Sequence, residues 1–144
     1  MLEDSVDFPH HLLYIHQRRG GTYHRTYVAW RDGKIDGVLT GSFDADFADS
    51  RDFCSFDLPS APHALLDRVH VRESARGTGV GRALVKIFAS EASVRGCSFI
   101  GGFIDQSSEA TARRLFFERL AFVVSTLDSF GARPTDVLAA SANR

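Results

Sequence analysis

Three glycines at alternate positions, Gly77, Gly79 and Gly81, lie between Arg76 and Arg82 in the stretch Arg76-Gly77-Thr78-Gly79-Val80-Gly81-Arg82. Glycine carries no Cβ, so such a loop can turn several backbone N–H groups toward one point and let an anion come close. Apolar residues then recur at helical spacing, at Val80, Leu84, Ile87, Phe88 and Val94. A helix starting there adds unpaired N–H groups and partial positive charge. The chemistry implied is the binding of a phosphate or pyrophosphate, with Arg76 and Arg82 adding charge-assisted hydrogen bonds. No Gly-Lys-Ser/Thr closes the loop, so it is not a Walker loop, and its G-x-G-x-G spacing departs from the G-x-G-x-x-G of dinucleotide sites. The plainer alternative is a turn that packs helix on strand, but three glycines at a helix start exceed what that needs.

Two titratable side chains precede the loop. Asp67 alternates with Leu65, Val69 and Val71 on one face of a strand predicted over residues 64–71. A carboxylate on an apolar face needs a partner or a task, so Asp67 is a candidate base; pairing with Arg68, Arg72 or a loop donor is the alternative. A β-bulge would change its facing. His70 is a second candidate base, because an imidazole titrates near neutral pH, although alternation points it away from Asp67. His10, His11, His16, His24 and His63 lack metal-ligand spacing and read as packed or solvated, so no metal is expected. The acidic run Asp44, Asp46, Asp49, Asp52 and Asp57 reads as a solvated face; against an acceptor pocket it would favour a cationic amine.

These residues need a scaffold. Residues 9–19 are predicted as a short helix and Gly20-Gly21 as a break. Two β-prone runs, 22–30 and 35–43, flank Asp32-Gly33 and predict a hairpin. Residues 44–63 read as a loop with a helical turn. After the strand at 64–71 and the glycine loop, a helix is predicted to about residue 95, stopped by Gly96. The next element is a strand at 98–104. Ser107 or Ser108 caps a helix over 109–120 with Ala112, Leu115, Phe116 and Leu120 on one face. Residues 122–130 and 134–140 are predicted as two closing strands. This order implies an α/β (α+β) fold with a mixed sheet in one domain spanning residues 1–144.

Composition fits that reading. The chain has 144 residues, 44% hydrophobic, enough for one packed core. Lys plus Arg number 17 against 18 Asp plus Glu, a formal charge of −1 that favours neither nucleic acid nor a membrane surface as partner. Cys54 and Cys97 form no C-x-x-C and read as free thiols. The acidic start lacks a signal-peptide pattern, and the protein is expected in the cytoplasm.

The stretch Leu66-Asp67-Arg68-Val69-His70-Val71, followed by Arg76-Gly77-Thr78-Gly79-Val80-Gly81-Arg82-Ala83-Leu84, resembles the central motif of the GNAT superfamily of N-acetyltransferases, Q/R-x-x-G-x-G/A between a strand and an amphipathic helix. Phe116-Phe117-Glu118-Arg119-Leu120-Ala121-Phe122 is similar to the family's aromatic-Glu-Lys/Arg-Leu-Gly-Phe ending. The resemblance covers residues 64–122 and is weaker over 22–43. It implies a mostly antiparallel mixed sheet flanked by helices, with two strands splayed to admit acyl-CoA. The cofactor-binding residues would be Val69 and Val71 toward pantetheine, Arg76, Gly77, Thr78, Gly79, Val80, Gly81 and Arg82 toward the pyrophosphate, and Phe117 beside the thioester. The co-substrate would be acetyl-CoA and the acceptor an amine of a small molecule or a protein, attacked directly; a homodimer is compatible. Two departures stand out. The family's Asn near the start of the last helix is missing, and its thiolate-protonating Tyr aligns with Phe117, which cannot donate a proton. They leave open a non-catalytic CoA-binding module of the same fold.

Overall fold

In the computed structural model, residues 10–19 and 22–140 are described. Seven strands form one sheet: β1 (His11–Arg19), β2 (Thr22–Arg31), β3 (Lys34–Ala45), β4 (His63–Val71), β5 (Ile100–Phe103), β6 (Val123–Val124) and β7 (Ser129–Ala132). The spatial order is β1-β2-β3-β4-β5-β7-β6. Every neighbouring pair is antiparallel except β4 and β5, which run parallel. Among the described residues there are three α-helices: α1 (Val80–Val94), α2 (Ala110–Glu118) and α3 (Pro134–Ala139). The mixed, mostly antiparallel α/β architecture agrees with the expectation. None of the described helices is long and apolar enough to cross a membrane.

Alternation in β2 and β3 sends Tyr27, Ala29 and Leu39 to the face covered by α1, where they are buried with Leu84, Val85 and Phe88. Gly37 and Gly41 let the helix come close: a Cβ at Gly41 would lie 2.5 Å from the Phe88 ring, and one at Gly37 2.5 Å from Val80. A second, smaller core of Phe47, Phe53 and Phe99 is joined by Phe56, Leu58 and Leu65. The 44–63 segment supplies most of it, with a 3₁₀ turn at Arg51–Phe53. His63 staples that segment. It is fully buried, its Nδ1 accepts the Phe47 N–H (2.9 Å), and its Nε2–H donates to the Pro59 carbonyl (2.8 Å). The acidic residues of this segment are exposed. Cys54 and Cys97 are free thiols; burial pushes the Cys97 thiol up.

Two elements differ from expectation. The run expected as a helix at 9–19 is strand β1 over its described part, in register with β2 from His11↔Trp30 to Arg19↔Thr22. Nine consecutive cross-strand pairs outweigh the weak local preference of Leu12-Leu13-Tyr14. Gly20-Gly21 lies outside the described residues. The last expected strand, 134–140, is helix α3 instead. Pro134 sits in its first turn, where a missing N–H costs nothing and φ is preset. Its carbonyl end is capped by cations: Arg82 Nη2 and Lys86 Nζ both donate to the Ala140 carbonyl, at 2.9 and 2.6 Å. The closing hairpin is made by splitting the 122–130 run into β6 and the start of β7.

Helix α2 ends in a paired 6→1 and 5→2 hydrogen-bond motif. Phe122 N–H donates to the Phe117 carbonyl (3.1 Å) and Ala121 N–H to that of Glu118 (3.2 Å). Ala121 therefore takes φ 72, the left-handed conformation usually left to glycine. That conformation costs an L-residue roughly 1–2 kcal/mol, while glycine's extra freedom in the unfolded chain offsets about 0.5–1 kcal/mol of the gain. Ala121→Gly is expected to stabilise the fold by about 0.5–1 kcal/mol. Chemical denaturation should show a raised midpoint at unchanged slope; a lowered midpoint would mean that the half-buried methyl matters more than the backbone.

Candidate functional site

The parallel pair β4–β5 is short by construction. Register holds only at Ala64↔Ile100 and Leu65↔Gly101. Directly beyond, β4 carries a bulge: Thr40 pairs with Arg68 and Gly41 with Leu66, so Asp67 is the extra residue. A bulge bends its strand and shifts the facing of the residues after it. Leu66 faces the α1 side before it, and Val69 does so after it. From there to Val71 the strand has a free edge. The Arg72 N–H donates to Asp36 on β3 (2.8 Å), so by alternation Val69 and Val71 turn their backbone groups away from β3, toward the opening.

A cleft of about 620 Å³ lies along this edge. Its walls are β4 at Val69 to Val71, the loop and first turn of α1, and Glu109 with the face of α2 that bears Arg113 and Phe116. The loop is built for close approach. Gly77 and Gly79 take φ 81 and 90, and a Cβ on either would meet no atom within 4 Å. The first bond of α1 runs from Ala83 N–H to Gly79 (2.9 Å), which leaves the N–H groups of Val80, Gly81 and Arg82 outside the ladder. No acidic residue offsets the positive end in the first turn. Arg76, Arg82, Arg113 and Arg119 line the cleft against one carboxylate, Glu109. This cradle of free N–H groups and guanidinia, beside an unpaired strand edge, fits an elongated ligand with phosphates at one end and amides at the other.

The structure brings most of the sequence-derived candidates together. Val69, His70, Val71, Arg76, Gly77, Gly79, Val80, Gly81 and Arg82 all line the cleft. Thr78 does not; its hydroxyl donates back to the Ala75 carbonyl and holds the turn. Arg82 is partly committed to the end of α3. Phe117 is buried among aromatics, stacked on Phe130 at 3.9 Å, and Phe116 is the residue of that pair on the cleft. Asp67 does not share an apolar face with Leu65, Val69 and Val71 as alternation suggested. The bulge leaves it exposed, with no hydrogen bond or ion pair among the described residues. His70 is exposed too, between Val69 and Val71, which face α1; its ring therefore lies on the opposite side of the strand.

Sequence reasoning overlooked Glu109, Arg113 and Arg119. The spacing 109, 113, 116, 120 marks one helical face and carried the signal, but attention to its apolar members hid the charged ones. Among the described residues no three His, Cys, Asp or Glu side chains gather as a metal site.

Residues 2–122 match the sequence profile of the Acetyltransferase (GNAT) family. No curated protein matches the chain in sequence. Solved structures share the fold. AtaTR bound with AcCoA is 17% identical with a TM-score of 0.58, over 79% of this chain and 69% of that one. The KacTA–DNA complex is 18% identical with a TM-score of 0.59, over 83% and 72%. A transcriptional regulator from Bacillus halodurans C-125 is 26% identical with a TM-score of 0.56, over 71% and 61%.

Proposed function

Because the chain belongs to the GNAT acetyltransferase family, we propose that it is an acetyl-CoA-dependent N-acetyltransferase acting on a primary amine of a small molecule or a protein. The observation that carries this reading is the β4 edge, which has no partner strand beyond Leu65, running into a glycine loop at a helix N-terminus. The backbone N–H groups from Gly77 to Arg82, with Arg76, hold the pyrophosphate. Val69 and Val71 pair with the pantetheine amides as an added strand would. Bound acetyl-CoA supplies an activated thioester for direct attack by a neutral amine. The acceptor approaches from the face of β4 that carries His70 and Asp67, either of which can take the amine proton. His70 is the stronger candidate, since it lines the cleft and Asp67 does not.

A second reading has its own observation. Phe117 has no proton to give and is stacked away in the core, so no side chain at the family's tyrosine position serves the leaving thiolate. A non-catalytic CoA-binding regulatory module would have no need of one, and one structural relative is described as a transcriptional regulator. Incubation with acetyl-CoA and a panel of amines, with detection by thiol release and mass spectrometry, separates the two. Amine-dependent thiol release is the expected result, with water protonating the thiolate. Tight CoA binding without turnover on any amine would select the module, and no CoA binding would overturn both.

A further inference from the structure

The two carbonyls on the open edge of β4 are already in use. Arg113 Nη1, from α2, donates to the Val69 carbonyl at 3.3 Å. Arg76 Nε, from the glycine loop, donates to the Val71 carbonyl at 3.1 Å. These arginines come from opposite walls of the cleft, and one carboxylate ties them together. Glu109 Oε2 is 3.1 Å from Arg76 Nη1, and its Oε1 is 3.9 Å from Arg113 Nη2. The Arg76–Glu109 bridge spans the cleft from the glycine loop to the start of α2, while the Glu109–Arg113 contact is an i,i+4 pair along the α2 wall.

We infer that Glu109, with Arg76 and Arg113, forms a latch that caps the β4 edge in the free protein and must open for the thioester to enter. The inference rests on the acyl-CoA reading of the cleft. A carbonyl oxygen can accept two donors, but a guanidinium lying against it takes up room along the strand edge where the ligand's amide must lie, so the two compete for the same place. Arg76 also cannot turn all its donors to a pyrophosphate while Nη1 faces Glu109. Entry therefore exchanges one set of bonds for another. The arginine–carbonyl bonds give way to amide–carbonyl bonds, and Arg76 passes from carboxylate to phosphate. Glu109 is the one member of the three with nothing to gain in the open state, because its negative charge faces the incoming phosphates. It thus sets the closed population, and the ligand's apparent affinity is reduced by the fraction of protein that is latched. The Arg76–Glu109 bridge is nearly half exposed and the Arg113–Glu109 contact is long, at 3.9 Å, so the latch is a weak one, suited to adjusting affinity rather than blocking it.

The test separates a latch from simple charge repulsion by using two probes. Acetyl-CoA carries phosphates; S-acetyl-pantetheine is neutral and uses only the strand edge. Affinities of both are measured by NMR titration of the wild type and of Glu109→Gln, with thermal melting to verify that the variant is folded. The variant is expected to bind both probes more tightly, by roughly two- to tenfold, the range for one or two exposed ion pairs. Tighter binding of acetyl-CoA alone would reduce Glu109 to a repelling charge and overturn the latch. Unchanged or weaker binding of the neutral probe would do the same. A wild type that binds no acetyl-CoA would instead overturn the acyl-CoA reading itself.

Discussion

Gly79→Val is expected to fold and to lose acetyl-CoA. Gly79 precedes α1 at φ 90, and a Cβ there would meet no protein atom within 4 Å. The added side chain therefore creates no clash inside the fold. Its cost has two parts. A β-branched residue is an outlier at positive φ, so the turn must rearrange. The side chain also projects into the space where the pyrophosphate would meet the free N–H groups of α1. Losing two charge-assisted hydrogen bonds costs about 3–6 kcal/mol, roughly 10²–10⁴-fold in Kd. Isothermal titration with acetyl-CoA measures it, and a cooperative melt shows that the fold survives. Gly81→Ala makes an informative contrast, because its Cβ would lie 3.1 Å from the Phe116 ring and 3.3 Å from Val71. That change tests packing between α1 and α2 rather than ligand approach. If Gly79→Val melts normally and binds acetyl-CoA like the wild type, the glycine loop is only a turn.

The glycine loop between its strand and helix was legible in the sequence because its requirements are local. A strand, three glycines at alternate positions and an amphipathic helix succeed one another within residues 64–94, and each is set by near neighbours. The hairpin at Asp32-Gly33 was legible for the same reason, with both residues at positive φ. The features that stayed hidden depend on partners far along the chain. Strand β1 exists because β2 accepts it, and Leu12-Leu13-Tyr14 alone does not reveal that. Helix α3 is held through Arg82 and Lys86 on α1, more than fifty residues earlier. The bulge at Asp67 arises from a register shift against β3 between Thr40 and Gly41, so strict alternation along β4 assigned Asp67 the wrong surroundings. Arg76 from the glycine loop and Arg113 from α2 reach the two β4 carbonyls, with Glu109 between them, only once the fold has closed.

The bulge also decides which side chain to test as the base. It places Asp67 in solvent, unpaired among the described residues, and leaves His70 between two residues whose backbone groups line the opening. An amine reaching the thioester from the face opposite α1 passes the His70 ring. Imidazole is also the side chain most often used as a general base. His70→Gln is expected to lower kcat by about 10²–10⁴-fold, while the Kd for acetyl-CoA stays close to that of the wild type, because in the proposed binding mode the cofactor would meet the backbone of β4 and not this ring. The acidic limb of the pH–rate profile should disappear with it. A base must be unprotonated to act, so removing the base removes the acidic limb. Asp67→Asn should keep both the limb and most of kcat. The reverse pattern, a normal His70→Gln and a crippled Asp67→Asn, would transfer the role to the bulge carboxylate. If neither substitution changes kcat, then the amine loses its proton to water, and catalysis in this cleft consists of holding the thioester and acceptor together.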